Sequence, residues 1–130
     1  MDRTIIDVPV ISDALRRLGV PVSPLVRLEG RLYTCGMPPL DPLTGEIVEG
    51  DIATQTRAVM EALKVTLAAG GATFGQVAKV NVFLTDNADA PAMNAVYRDY
   101  FRNGFPARSC VAVQAWPRFD IEIECIAAVP

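Results

Sequence analysis

Between Asp51 and Ala69, apolar or small residues recur at Ile52, Thr56, Val59, Met60, Leu63 and Leu67. Steps of three and four place them on one helical face, and Gly70-Gly71 stops the pattern. A second helical stripe, Ala92, Met93, Val96, Tyr97, Tyr100 and Phe101, follows Asp89 and Pro91 and closes at Gly104. An Asp cap with Pro in the first turn is a helix-start signature. Between the two helices lies Val77–Leu84, rich in β-branched residues, which reads as a buried strand. With two helices and about five strands in the chain, the economical solution packs both helices on one face of a sheet.

The remaining elements set the order. Residues 11–18 predict a short helix stopped by Gly19 and Pro21, within an N-terminal extension over residues 1–24. Val26–Leu28 and Leu32–Cys35 flank Glu29-Gly30, a strand pair with a tight turn. Residues 36–46 are rich in Gly and Pro and read as a loop. Arg108–Trp116 and Ile121–Val129 read as two further strands, with Pro117–Asp120 as a hairpin loop between them. The expected fold is α+β: a single domain over residues 1–130, order β-β-α-β-α-β-β, with a mixed sheet and both helices on one face. The other face is left to water or a second subunit. Because hydrophobic residues make up 51% of the chain and charged residues only 21%, burial between subunits is expected.

Composition excludes several chemistries. The chain has no histidine, and its three cysteines, Cys35, Cys110 and Cys125, show no C-x-x-C spacing. A zinc site and a Ser-His or Cys-His nucleophile are therefore not expected. The formal charge of −3 and the lack of any basic run longer than Arg16-Arg17 argue against nucleic acid as a partner. No stretch approaches the roughly 18 apolar residues of a membrane span, and Met1-Asp2-Arg3-Thr4 lacks a secretory signature, so a soluble cytoplasmic location is expected.

The charges inside the last two strands remain. Arg108 stands in Phe105-Pro106-Ala107-Arg108-Ser109-Cys110, and Glu122 and Glu124 alternate with Ile121, Ile123 and Cys125. Alternation puts the two acids on one strand face, which by itself describes a solvated surface. Facing a pocket, Arg108 and Glu122 would instead form a carboxylate clamp with an adjacent acid/base. Asn94 stands beside the apolar stripe of the second helix, either as a surface amide or aimed at a ligand. Cys110 shares a strand face with Arg108, but with no histidine to activate it the thiol reads as a small hydrophobe, as does Cys125.

Several segments taken together resemble the RidA/YjgF group of enamine/imine deaminases. They are Asp41-Pro42-x-Thr44-Gly45-Glu46, Gln55-Thr56, Val80-x-Val82-Phe83-Leu84-x-Asp86, Asn94-x-x-Tyr97-x-x-Tyr100-Phe101, Pro106-Ala107-Arg108-Ser109 and Ile121-Glu122-Ile123-Glu124, in that order. The resemblance implies a chorismate-mutase-like subunit in a homotrimer with sites between subunits and no cofactor or metal. It implies that Arg108 holds the substrate carboxylate, that Glu122 positions the attacking water as acid/base, that Asn94 lines the site and that Cys110 lends it a backbone carbonyl. Glu124 is left as a surface or interface residue.

Two departures concern substrate contacts. Where the family often carries Ser-Gly-Gln, this chain reads Cys35-Gly36-Met37, and where it often carries Gly-Pro-Tyr, the chain reads Ser23-Pro24-Leu25. Two hydroxyls are thus replaced, at Cys35 and Leu25, which implies a shift toward bulkier or less polar substrates. The activity implied is hydrolysis of 2-aminoacrylate-type imino acids to 2-oxo acids and ammonium. The alternative is a non-catalytic trimeric module that binds small carboxylates. A ribonuclease role, attached to relatives of this group, is opposed by the acidic character of the chain.

Overall fold

The computed structural model describes residues 1–130. Its elements are β1 (Thr4–Ile6), α1 (Ile11–Arg17), β2 (Leu25–Leu28), β3 (Arg31–Thr34), α2 (Ile52–Ala69), β4 (Val77–Leu84), α3 (Ala90–Arg98), β5 (Ala107–Ala112) and β6 (Ile121–Ala128). They form one six-stranded sheet in the order β1-β2-β3-β6-β4-β5. No helix is long and apolar enough to cross a membrane.

Local chemistry accounts for most boundaries. The Asp51 carboxylate accepts the Thr54 N–H at 2.8 Å and caps α2. Gly71 (φ +85°) carries the chain away from the helix end in a conformation that suits glycine. Glu29 and Gly30, both at positive φ (49° and 76°), make the two-residue turn between β2 and β3, whose twist matches that of the flanking strands. At α3 the expected cap differs. Asp89 makes no capping bond, and Asp86 instead accepts the Ala88 N–H at 2.9 Å, starting a 3-10 turn over Asn87–Asp89 that leads into the helix.

Two expectations about strands are corrected. β1 was not foreseen, since three residues are too few to show a period. The expected hairpin between the last two strands does not form: β4 lies between them, parallel to β5 and antiparallel to β6. Parallel neighbours need a crossover rather than a tight turn, and α3 supplies it between β4 and β5. Strand alternation reveals that a segment is half buried, but not which segment it pairs with.

One sheet face is dry. Val80, Val82 and Leu84 of β4 lie opposite Cys125, Ile123 and Ile121 of β6, and all six are buried. They meet Val59, Met60, Leu63 and Leu67 of α2 and Met93 and Tyr97 of α3 in one apolar cluster. Thr56 and Thr66, also buried, satisfy their hydroxyls on the Ile52 and Ala62 carbonyls. The opposite face carries Asn81 and Phe83 of β4 and Glu122, Glu124 and Ile126 of β6, all half buried, with Tyr33 and Val111 more exposed. No element of the chain covers this face with a helix layer.

Candidate functional site

Arg108 is in register with Val80, and Val80 with Cys125. Paired residues point to the same side, so the arginine leaves β5 on the helical face. Because β5 is the edge strand, the long side chain reaches past the core and lies over the Tyr97 ring, its guanidinium carbon 4.7 Å from the centroid. Its only other polar neighbour is the Met93 sulfur, 4.0 Å from Nη1, and none of the chain's salt bridges includes it. A half-buried guanidinium with five donors and no acid to receive them is prepared for an anion.

The cavity beside it, about 240 Å³, is lined by Asn94, Tyr97, Arg98, Phe105, Pro106 and Arg108. Asn94 Oδ1 and the Tyr97 hydroxyl are buried without a partner there. Burial pushes the Tyr97 phenol up to about 12, so it stays neutral and able to donate. Arg98, one helical turn after Asn94, adds a second cation that sequence reading passed over. Its signal was the four-residue spacing from Asn94.

Glu122 is in register with Phe83 and faces the opposite side of the sheet. Burial first, and then the nearby Glu124 carboxylate, push its pKa up to about 7. The two acids differ in their partners. Glu124 accepts the Asn81 side-chain N–H at 3.1 Å, whereas Glu122 accepts no hydrogen bond from the chain.

The segment after β3 holds Glu122 in place. Met37 and Ile123 exchange two backbone bonds, 2.9 and 3.2 Å, which lays Gly36 against the carboxylate. A Cβ at position 36 would come 2.5 Å from Glu122 Oε1. Gly36→Ala is therefore expected to displace the carboxylate toward water and move its titration midpoint down from about 7, as followed by carbon-13 NMR of the side chain. An unchanged midpoint would mean that the cradle yields elsewhere. From the other side, buried Gln55 accepts the Asp120 N–H at 2.8 Å and donates to the Asp120 carboxylate at 2.9 Å, fixing the chain two residues before Glu122.

Glu122, Cys35 and Gly36 line a second cavity, distinct from that of Arg108. Within one chain, then, Arg108 and Glu122 stand on opposite sheet faces and do not meet. Cys35 is kept protonated: burial, then the Glu122 charge, push its thiol up to about 12. Cys125 is pushed to about 12 chiefly by burial in the core.

Three other residues behave differently from one another. Cys110 packs against the core, opposite Val82. Val113 donates to Leu84 across the ladder, so alternation turns the Cys110 N–H and carbonyl outward from the sheet edge, free for a ligand. Leu25 does not fit the substrate-binding role expected of it. It is fully buried beneath the end of α2, where a Cβ on Gly70 would lie 3.0 Å from its Cδ2, and it lines neither cavity because its strand parity aims it at the core. Met37 is also fully buried, so the lost amide at that position is a packing change.

The family model described as Endoribonuclease L-PSP matches residues 16–129. The chain belongs to this family. It is the RidA/YjgF group that the motifs resemble, and its members include a RutC family protein of Pyrococcus horikoshii, 45% identical over 108 residues, covering 82% of this chain and 86% of that protein. A mouse relative named 2-iminobutanoate/2-iminopropanoate deaminase is 35% identical, covering 82% of this chain and 80% of its own length. The crystal structure of RidA from the Antarctic bacterium Psychrobacter sp. superposes with a TM-score of 0.85 at 31% identity, over 97% of this chain and 99% of that one. The RidA fold thus places Arg108 on its edge strand and Glu122 on its open face.

Proposed function

We propose that this RidA-family chain hydrolyses reactive 2-imino acids to 2-oxo acids and ammonium, at clefts shared between copies of the chain in a homotrimer. The observation that carries the reading is Glu122, an unpaired, half-buried carboxyl whose pKa of about 7 suits proton transfer near neutrality. The deaminase name of the mouse relative supports it.

The steps balance without a cofactor. Arg108 takes the substrate carboxylate in its fork, with Asn94 and Tyr97 beside it, and so orients the imine carbon. Ionised Glu122 accepts a proton from water as the water oxygen bonds to that carbon, and the C=N electron pair moves to the protonated nitrogen. Glu122 then returns the proton to the amine, the C–N bond breaks as the hydroxyl oxygen forms the carbonyl, and the hydroxyl proton passes to the departing ammonia to give ammonium. Since Arg108 and Glu122 lie on opposite sheet faces, a second copy must supply one of them. The open face, with Phe83, Ile126, Tyr33 and exposed Val111 around the acids, offers the apolar surface for that contact.

The test couples a threonine dehydratase, which releases 2-iminobutanoate, to the purified protein. Formation of 2-oxobutanoate faster than free hydrolysis is expected, from a species whose light-scattering mass is three times 14.0 kDa. No acceleration rejects the enzymatic reading, and calorimetric binding of 2-oxobutanoate without turnover assigns the cleft to ligand capture instead. Turnover by a stable monomer would overturn the shared site.

A further inference from the structure

The cavity that holds Glu122 stands open on a single copy of the chain. It measures about 430 Å³ and is walled mainly by apolar side chains. Leu15 of α1 and Leu18, which directly follows the helix, form one side, and exposed Val22 (49%) continues it. Trp116 and Phe119 form the other, stacked at 5.1 Å between ring centroids with an interplanar angle of 23°. A paired aromatic wall of this kind is built for apolar contact.

Polar groups are scarce along these walls. Arg118 is turned to Glu49, with both Nε and Nη2 at 3.1 Å from the same carboxylate oxygen. Cys35 presents a thiol in the position where the family's motif often offers a hydroxyl. Glu122 is thus the one unpaired charge on the wall, and it sits where the reacting carbon must lie. A substrate whose side chain is only a methyl leaves the apolar part of this space to water, whereas a branched or aromatic side chain displaces that water.

Resting on the deaminase reading above, we infer that the cavity of Leu15, Leu18, Val22, Trp116 and Phe119 is a side-chain pocket that selects 2-imino acids with large apolar side chains. These are the imines that oxidation of leucine-like and phenylalanine-like amino acids produces, rather than those of alanine or serine. Each buried methylene is worth about fourfold in binding. The leucine-derived imine carries three more carbons than the alanine-derived one, which predicts a preference on the order of sixtyfold if all three are buried.

An L-amino-acid oxidase generates the imines of alanine, leucine and phenylalanine in turn, and oxo-acid formation is followed with and without the protein. We expect kcat/KM for the leucine and phenylalanine imines to exceed that for the alanine imine by tenfold or more. Trp116→Ala is expected to compress the ratio toward one, and a ratio unchanged in the folded variant removes Trp116 from the pocket and overturns the assignment of this wall. An alanine imine hydrolysed as well as the leucine imine overturns the preference while leaving the deaminase reading intact. Failure to accelerate any imine overturns both. Should Trp116→Ala not fold, the wild-type ratio decides alone.

Discussion

Replacing Arg108 by alanine is expected to lower kcat/KM for imine hydrolysis by thirtyfold to several thousandfold. Losing one member of a desolvated charge pair costs about 2–5 kcal/mol, and each 1.4 kcal/mol is tenfold. The expectation is strong because no acid of the chain pairs with this guanidinium, which lies over the Tyr97 ring beside the Met93 sulfur. Most of the loss should appear in KM, because an Arg–carboxylate pair forms with the substrate before the transition state is reached. Arg108→Lys should recover part of the affinity as a point charge but lose the two-pronged geometry. Steady-state kinetics in the coupled dehydratase assay, with circular dichroism to confirm folding, checks both variants. Unaltered KM in folded Arg108→Ala would show that the carboxylate binds elsewhere.

The second large effect falls on kcat. Glu122→Gln keeps the shape of the side chain but cannot take a proton from water, and loss of a positioned acid/base typically costs about 10²–10⁴ in rate. On the proposed mechanism the active form is the carboxylate, so the rate should rise with pH through about 7 and level off above it. Glu124 contributes to raising that value, so Glu124→Gln should move the rise to lower pH. The same shift has a consequence for stability. Between the ordinary carboxyl value of 4.5 and about 7, folded Glu122 holds a proton that the unfolded chain has released, so stability falls as pH rises across that window. Glu122→Gln should therefore flatten the decline in thermal midpoint from pH 5 to pH 8. A rate independent of pH from 5 to 8 would remove Glu122 from the proton-transfer step.

The helices and strands were largely legible in the residue pattern because their signals are local. The stripe from Ile52 to Leu67 needs only neighbours three and four positions away, and the β2–β3 turn needs only Glu29-Gly30. Arg108, Glu122 and Asn94 could be singled out for the same reason, as polar side chains set in or beside apolar runs or motifs. The difference between Glu122 and Glu124 was assigned from the motif, and its physical basis appears in the Asn81 amide that engages only Glu124. Leu25 was misread because its position in a motif said nothing about strand parity, which buries it under α2. Arg98, Gln55 and Trp116 gained their places at or beside the cavities through contacts distant in sequence.

By itself, the sequence determined most element types, the presence of charges within the last two strands and the absence of histidine chemistry. All of these depend on residue identity and short-range spacing. Tertiary structure decided that β4 separates β5 from β6, and with it that Arg108 and Glu122 face opposite sides of the sheet. It also decided that Glu122 opens onto an apolar cavity formed by α1 and the stacked pair Trp116 and Phe119. The physical reason is that strand pairing and desolvation are long-range properties. Which backbone edge meets which, and how much water remains around a carboxylate, depends on the packing of segments that alternation along a single strand does not encode.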